Sequence, residues 1–168
     1  MGMDTPETMT TLLPIEHYVP HRGAMLLLDR LLHADAETAT AEVTVPRDGL
    51  FLQDEGMPAW VGLEYMAQTV AAWAGWQAVQ AGQAVKLGFL LGTRKFEAKT
   101  AFFPVGTRLQ VQVCSELVGD NGLGMFDCRI QDGSGDTVAQ ARISVYEPED
   151  GSAYLQAIEK QETGNTDE

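Results

Sequence analysis

An α+β fold is what this chain predicts: a curved antiparallel sheet wrapped around one long central helix. Three observations lead there. Residues 57–82, MPAWVGLEYMAQTVAAWAGWQAVQAG, form a helical stretch that is apolar nearly all the way round. After residue 86 the chain becomes a succession of strand patterns separated by turn signals. Before the helix at least one segment alternates with period two. A helix apolar on every face is either buried or in a membrane. A membrane span needs about 20 apolar residues with few polar interruptions. Glu64, Gln68, Gln77 and Gln80 interrupt this one, so burial inside a soluble domain is the expectation.

Taken in order, residues 1–11 are polar and loose, and residues 11–18 (TLLPIEHY) hold a short helical turn. Pro20-His21-Arg22-Gly23 is rich in turn formers, and the apolar run 24–32 that follows is interrupted by Asp29 and Arg30. In 39–45 (ATAEVTV) Ala41, Val43 and Val45 fall on one side, the mark of a half-buried strand. An acidic loop over 46–56 leads into the helix. Pro58 is placed in its first turn, where a missing N–H costs nothing, and Gly82 at its C-terminal stop. Residues 87–91 and then 93–103 read as strand, followed by the turn Pro104-Val105-Gly106. In 108–117, Leu109, Val111 and Val113 alternate with Gln110, Gln112 and Cys114. Asp120-Asn121-Gly122 signals a hairpin. Strands over 123–131 and 137–146 flank a Gly-rich turn at 132–136. From Glu147 the chain turns acidic, with a short helix over 153–160 and a disordered tail. This divides the chain into a lead-in (1–19), one domain (20–147) and an acidic, partly disordered tail (148–168). An open antiparallel sheet of this kind has edges, which dimerisation commonly covers.

The bulk properties narrow the function. At 168 residues the chain is one domain with room for a core. A formal net charge of −13 speaks against nucleic acid as ligand, since phosphate binding needs a basic surface. Cys114 and Cys128 fit no metal spacing, so no metal is expected, and both are placed as small buried hydrophobes. The first residues, MGMDTPETMTT, lack the basic start of a signal peptide, so a cytoplasmic protein is expected.

Glu64 is the one charge in the central helix, set between Leu63 and Tyr65. A carboxylate shut among apolar groups has its pKa raised by desolvation, as a general acid or base requires. The alternative is a carboxylate facing a solvent gap or a buried partner.

Three stretches together resemble the 3-hydroxyacyl-acyl-carrier-protein dehydratases of the hot-dog fold, the FabZ/FabA group. Pro20-His21-Arg22 with Leu27-Leu28-Asp29-Arg30 is similar to that group's P-H-R…L-L-x-D-R signature. Met57-Pro58-Ala59 through Glu64 and Ala67-Gln68 is similar to its M-P-G-x-x-x-x-E-x-x-A-Q helix. Phe103-Pro104-Val105-Gly106 is similar to the end of its V-x-P-G-D strand. Pro58-Ala59-Trp60 and the run from Gly88 to Arg94 most resemble the ApeP-type dehydratases of aryl polyene biosynthesis. The resemblance implies an enzyme, a hydro-lyase acting on acyl thioesters. It implies Glu64 as the catalytic acid, and Gln68, Met57, Ala59 and Trp60 as substrate-positioning residues. The family's catalytic histidine, which acts across a dimer interface, corresponds to Leu50 here, so this chain keeps the acid and lacks that base.

Dehydration of a 3-hydroxyacyl thioester needs a base for the C2 proton, an acid for the C3 hydroxyl and hydrogen-bond donors for the thioester oxygen. Gln68, one turn beyond Glu64, is placed to hold its carboxyl. Backbone N–H groups at the helix start are natural donors to the thioester oxygen. For the base, either a homologous partner supplies a histidine in a heterodimer, or His21 or His17 has taken over; His33 reads as exposed. The remaining readings are a non-catalytic subunit of a dehydratase heterodimer, and an acyl thioesterase on the same fold. The resemblance implies an acyl carrier protein as partner, a homodimer or heterodimer, and no cofactor beyond the substrate's phosphopantetheine. Between residues 86 and 108 five basic residues stand against one acid. Of these, Arg94, Lys95 and Lys99 are the candidates for docking an acidic carrier protein. Trp60, Trp73, Trp76, Phe89 and Phe102 either line an acyl tunnel or fill the core.

Overall fold

The computed structural model describes residues 12–164; expectations for residues 1–11 and 165–168 lie outside them. Strands β1 (Arg30–Ala34) and β2 (Thr38–Thr44) precede the helix, as does the two-residue strand β3 (Met57–Pro58). The central helix α1 is Gly62–Gln80. Then come β4 (Phe89–Ala98), β5 (Phe102–Phe103), β6 (Arg108–Val118), β7 (Leu123–Gln131), β8 (Thr137–Tyr146) and helix α2 (Gly151–Gly164). The six long strands make one antiparallel sheet in the order β1-β2-β6-β7-β8-β4, and β3 pairs with β5. Helix α1 lies across β2, β6 and β7 and also touches β1 and β8. This is the hot-dog arrangement of an α+β fold.

The register explains why the sheet has one wet and one dry face. Ala39, Val113, Cys128 and Ala141 stand opposite one another across four strands, and Ala41, Val111, Ile130 and Ala139 form the next row but one. All eight are buried. Period-two alternation sends every second residue to the helix side, and the strand register brings the four strands into phase. Between the rows lie the solvent-facing residues. Cys114, on the outer side of the Val113 row, is likewise exposed, because it alternates with Val113; placing it as a buried hydrophobe was incorrect. Glu42 is the buried exception on β2, and it is held by Arg30 at 3.1 Å and Arg108 at 4.0 Å.

Two expectations about α1 need correcting or filling in. Pro58 is not in its first turn. Its ψ of 135° is extended, and it pairs with Phe102 while the Ala59 N–H donates to Ala101 O. That pairing delays the helix, which begins with a 3-10 turn over Ala59–Val61 and becomes α-helical at Gly62. The C-terminal stop is at Gly82 as expected. Its φ is 67°, its N–H donates to Val79 O, and the Gln83 N–H donates to Ala78 O. That pair of bonds satisfies two helix-end carbonyls and requires the left-handed glycine.

Gly92 does not end the strand near residue 91: β4 continues through it, with register shifts between Leu90 and Gly92 and between Arg94 and Glu97. β4 is also an open edge of the sheet, nearly all of it exposed. Residues 151–164 form a longer helix than the 153–160 expected. Tyr154 on α2 packs its ring against Phe89 at 4.8 Å and Tyr146 at 5.2 Å.

Candidate active site

Glu64 is the third residue of α1, and its side chain is 37% exposed. It faces a groove rather than a sealed apolar pocket, because α1 presents a half-buried stripe on the side the sheet does not close. That stripe contains Glu64, Ala67, Ala71, Ala74 and Ala78, spaced three or four residues apart so that they fall in one line.

His21 reaches Glu64 from a different part of the chain. Its Nε2 lies 3.8 Å from Glu64 Oε1, too far for a direct hydrogen bond, and both side chains line the same groove. Two side chains hold it there. Arg22 turns back on its own loop, with Nη1 donating to Val19 O and His21 O and Nη2 to Glu16 O. Gln68 ties that loop to the helix. Fully buried, it donates through Nε2 to Met25 O at 2.7 Å and to Glu64 Oε1 at 3.0 Å, and its Oε1 accepts from the Leu27 N–H at 2.9 Å. One amide thus satisfies two backbone groups of the loop and orients the carboxylate. Burial lowers the His21 pKa below the ordinary value; the Glu64 carboxylate pulls it back up, and Arg22 adds to the lowering.

Behind this pair runs a groove of about 900 Å³. The alanine stripe of α1 forms one side, and β4, β7 and β8 form the other. Trp73 and Phe126, edge to face with ring centroids 5.4 Å apart, meet in it. Its far end is polar, with Lys86, Asp120, Asn121 and Glu147. Burial raises the Glu147 pKa there, and Lys86 opposes the rise.

The remaining sequence candidates are scattered. Met57 and Ala59 are buried in the core. Trp60 is 56% exposed and packs edge-on against Phe51, which adopts a φ of 69°. Of the other aromatics, Trp73 and Phe89 line the groove, Trp76 packs against the core and Phe102 pairs with Pro58. Arg94 and Lys95 are exposed in the bulged part of β4, and Lys99 in the turn after it. Arg94 stands directly opposite Arg142 on β8, whose own charge is taken up by Glu116 at 3.0 Å. His17 is exposed, and exposed His33 is bound to Asp35 at 2.9 Å. Among the described residues no cluster of three His, Cys, Asp or Glu side chains is placed to hold a metal. Nor is any described helix long and apolar enough to cross a membrane.

Sequence reasoning missed the sheet side of the groove, above all Gly124 and Val145. The one available signal was a glycine at an inward-facing position of a strand, a mark of close approach or open space.

The fold and the family are shared with known proteins. The sequence pattern of the ApeP-like family, described as ApeP dehydratase, matches residues 13–156. Among solved structures, the dehydratase heterocomplex ApeI:P from Xenorhabdus doucetiae is similar at 31% identity and a TM-score of 0.79, over 87% of this chain and 97% of that one. The E. coli PaaI protein from the phenylacetic acid degradation operon is similar at 17% identity and a TM-score of 0.55, over 69% and 80% of the two chains. A hypothetical thioesterase from Streptococcus pneumoniae TIGR4, solved with coenzyme A, is similar at 13% identity and a TM-score of 0.55, over 70% and 84%. These last two speak for the fold alone. No curated protein matches the chain.

Proposed function

The chain belongs to the ApeP-like dehydratase family, and from that premise we propose that it removes water from 3-hydroxyacyl thioesters carried on an acyl carrier protein, in an aryl polyene or fatty-acid-like biosynthetic pathway in the cytoplasm. The observation that carries this reading is the His21–Glu64 pair at the mouth of a long groove. Neutral His21 takes the C2 proton, a role favoured by its lowered pKa. Glu64 donates a proton to the C3 hydroxyl, the C–O bond breaks, water leaves and the C2–C3 double bond forms. The proton on His21 then returns to Glu64 across the gap between them. Gln68 holds the carboxylate in line. No cofactor is needed beyond the substrate's phosphopantetheine arm. Arg94, Lys95 and Lys99 supply positive charge for docking an acidic carrier protein.

The test is hydration of a 2-enoyl thioester on acyl carrier protein, the reverse reaction, followed by loss of ultraviolet absorbance. Glu64→Gln and His21→Gln should each lower the rate by about 10²- to 10⁴-fold with the fold intact. Free thiol released in place of hydration would make the protein a thioesterase.

A second reading is favoured by the heterocomplex found for the ApeI:P relative. Here the chain pairs with a homologous hot-dog subunit along the open β4 edge, where Leu90 and Leu91 are 41% and 51% exposed. The partner then supplies the base, the purified chain is inactive alone, and mixing restores hydration. In that mixture Glu64→Gln should abolish activity and His21→Gln should not. A mixture indifferent to Glu64→Gln would leave this chain as a non-catalytic subunit.

A further inference from the structure

Strand β4 ends the sheet, with β8 on one side and no strand on the other. A free edge of this length is a place where a second chain can add a strand. Its middle falls at Thr93 and Arg94. Arg94 and Lys95 are both exposed, and among the described residues no carboxylate forms an ion pair with either. Lys95 and Phe96 stand together against the single residue Ala141, and Lys95 adopts a φ of 55°, in the left-handed region. A bulge and a lysine are both devices that keep an edge from pairing indiscriminately. Glu97, the one acid of the strand, lies further along and accepts a bond from Gln140 at 3.0 Å.

Two copies of the chain that add β4 to β4 antiparallel share a two-fold axis. Pairing over the whole strand puts that axis at its middle, on Thr93 or Arg94, since facing residues point to the same side of the sheet. Arg94 then lies directly opposite its own copy, or diagonal to it at about 7–8 Å, with a Lys95 next to each. Like charges opposed across strands are destabilising. Sliding the register until Glu97 meets the opposing cations leaves several places of each strand unpaired.

We infer that Arg94 and Lys95 select the partner of the β4 edge: they hinder pairing of this chain with itself and favour a non-identical subunit whose edge strand carries acidic residues opposite them. This rests on the second reading above, in which β4 is the pairing edge. Lys99, in the turn beyond the strand, is left to face a carrier protein.

The experiment uses the chain itself as the acidic partner. The full wild-type chain, the double variant Arg94→Glu with Lys95→Glu, and an equimolar mixture of the two are compared by sedimentation equilibrium, with hydrogen exchange of the β4 amides on the same samples. The variant is more negative than the wild type, so overall charge works against the mixture and only local pairing can tighten it. At about 0.1 M salt the mixture should associate about tenfold or more tightly than either chain alone, with the β4 amides protected. At about 1 M salt, where the screening length falls to ~3 Å, the difference should vanish. Arg94→Glu mixed with wild type should show the same preference in weaker form, and it decides the matter if the double variant fails to fold. Wild type pairing with itself as tightly as with the variant, or a preference that persists at high salt, would overturn the charge selection and leave β4 as the pairing edge if its amides are protected. A mixture that does not associate, or that associates with β4 unprotected, would overturn both.

Discussion

Helix α1 has two sides that do opposite jobs. On one, Tyr65, Met66, Thr69, Ala72 and Trp73 are buried against the sheet. On the other, Glu64, Ala67, Ala71, Ala74 and Ala78 stay half-open and line the groove. The first side is large and close-packed, and the second is small and bears the one charge. This is why the helix shows no amphipathic stripe in its sequence. Both sides are apolar, one because it is filled by the protein and the other because, in the reading above, it is filled by a ligand. In that reading the helix separates stability from function by face, and neighbouring residues should respond to mutation in opposite ways.

The sharpest form of that contrast is at Gly75 and Ala74. A methyl at Gly75 would be driven into the backbone carbonyl of Tyr18, which cannot move aside without dragging the whole lead-in loop. Gly75→Ala should cost about 3 kcal/mol, the upper range for overpacking, read as a loss of Tm and of the denaturant midpoint. Ala74→Leu, one residue away on the groove side, should change stability by less than about 1 kcal/mol. Equal costs would mean that the groove is closed by something the two-sided picture omits.

Next in size is Gln68, which belongs to both sides. Replacing it by Met keeps its volume and orphans Met25 O and the Leu27 N–H. Each stranded backbone group costs about 1–3 kcal/mol, so a loss of roughly 2 kcal/mol or more is expected by urea denaturation. The same variant should lose enoyl hydration, because it frees both the carboxylate and the loop that carries His21. Loss of stability with unchanged turnover would place Gln68 on the scaffold side alone.

The smallest effect is a pH dependence at His21. Its folded-state pKa is lowered, chiefly by burial, so protonation favours the unfolded chain. The stability it contributes is complete above the unfolded value, near pH 6.5, and is lost as pH falls through the folded value. The Tm difference between wild type and His21→Gln should be flat above about pH 6.5 and move against wild type below it. A difference that moved in favour of wild type on acidification would mean that the Glu64 carboxylate outweighs burial.

Much of this was legible in the sequence. The long buried helix, its glycine stop, the phase of the strands and Glu64 as its odd residue followed from composition and period, because the hydrophobic pattern must match the geometry of the element that buries it. Three short motifs carried the family. The start of α1 was misplaced, since the pairing of Pro58 with Phe102 is a contact between distant segments. The same is true of β4, whose bulges let it run through Gly92 and whose partner β8 lies far along the chain.

The sequence by itself thus determined which segments fold and which faces they bury, since those follow from the spacing of apolar residues along a helix or strand. Only the tertiary structure decided that His21 meets Glu64 across a loop held by Gln68, and that the alanines of α1 face β4, β7 and β8 across a groove. The reason is physical: a loop has no periodicity to announce where its side chains end up, and a gap exists only between two surfaces that the chain brings together.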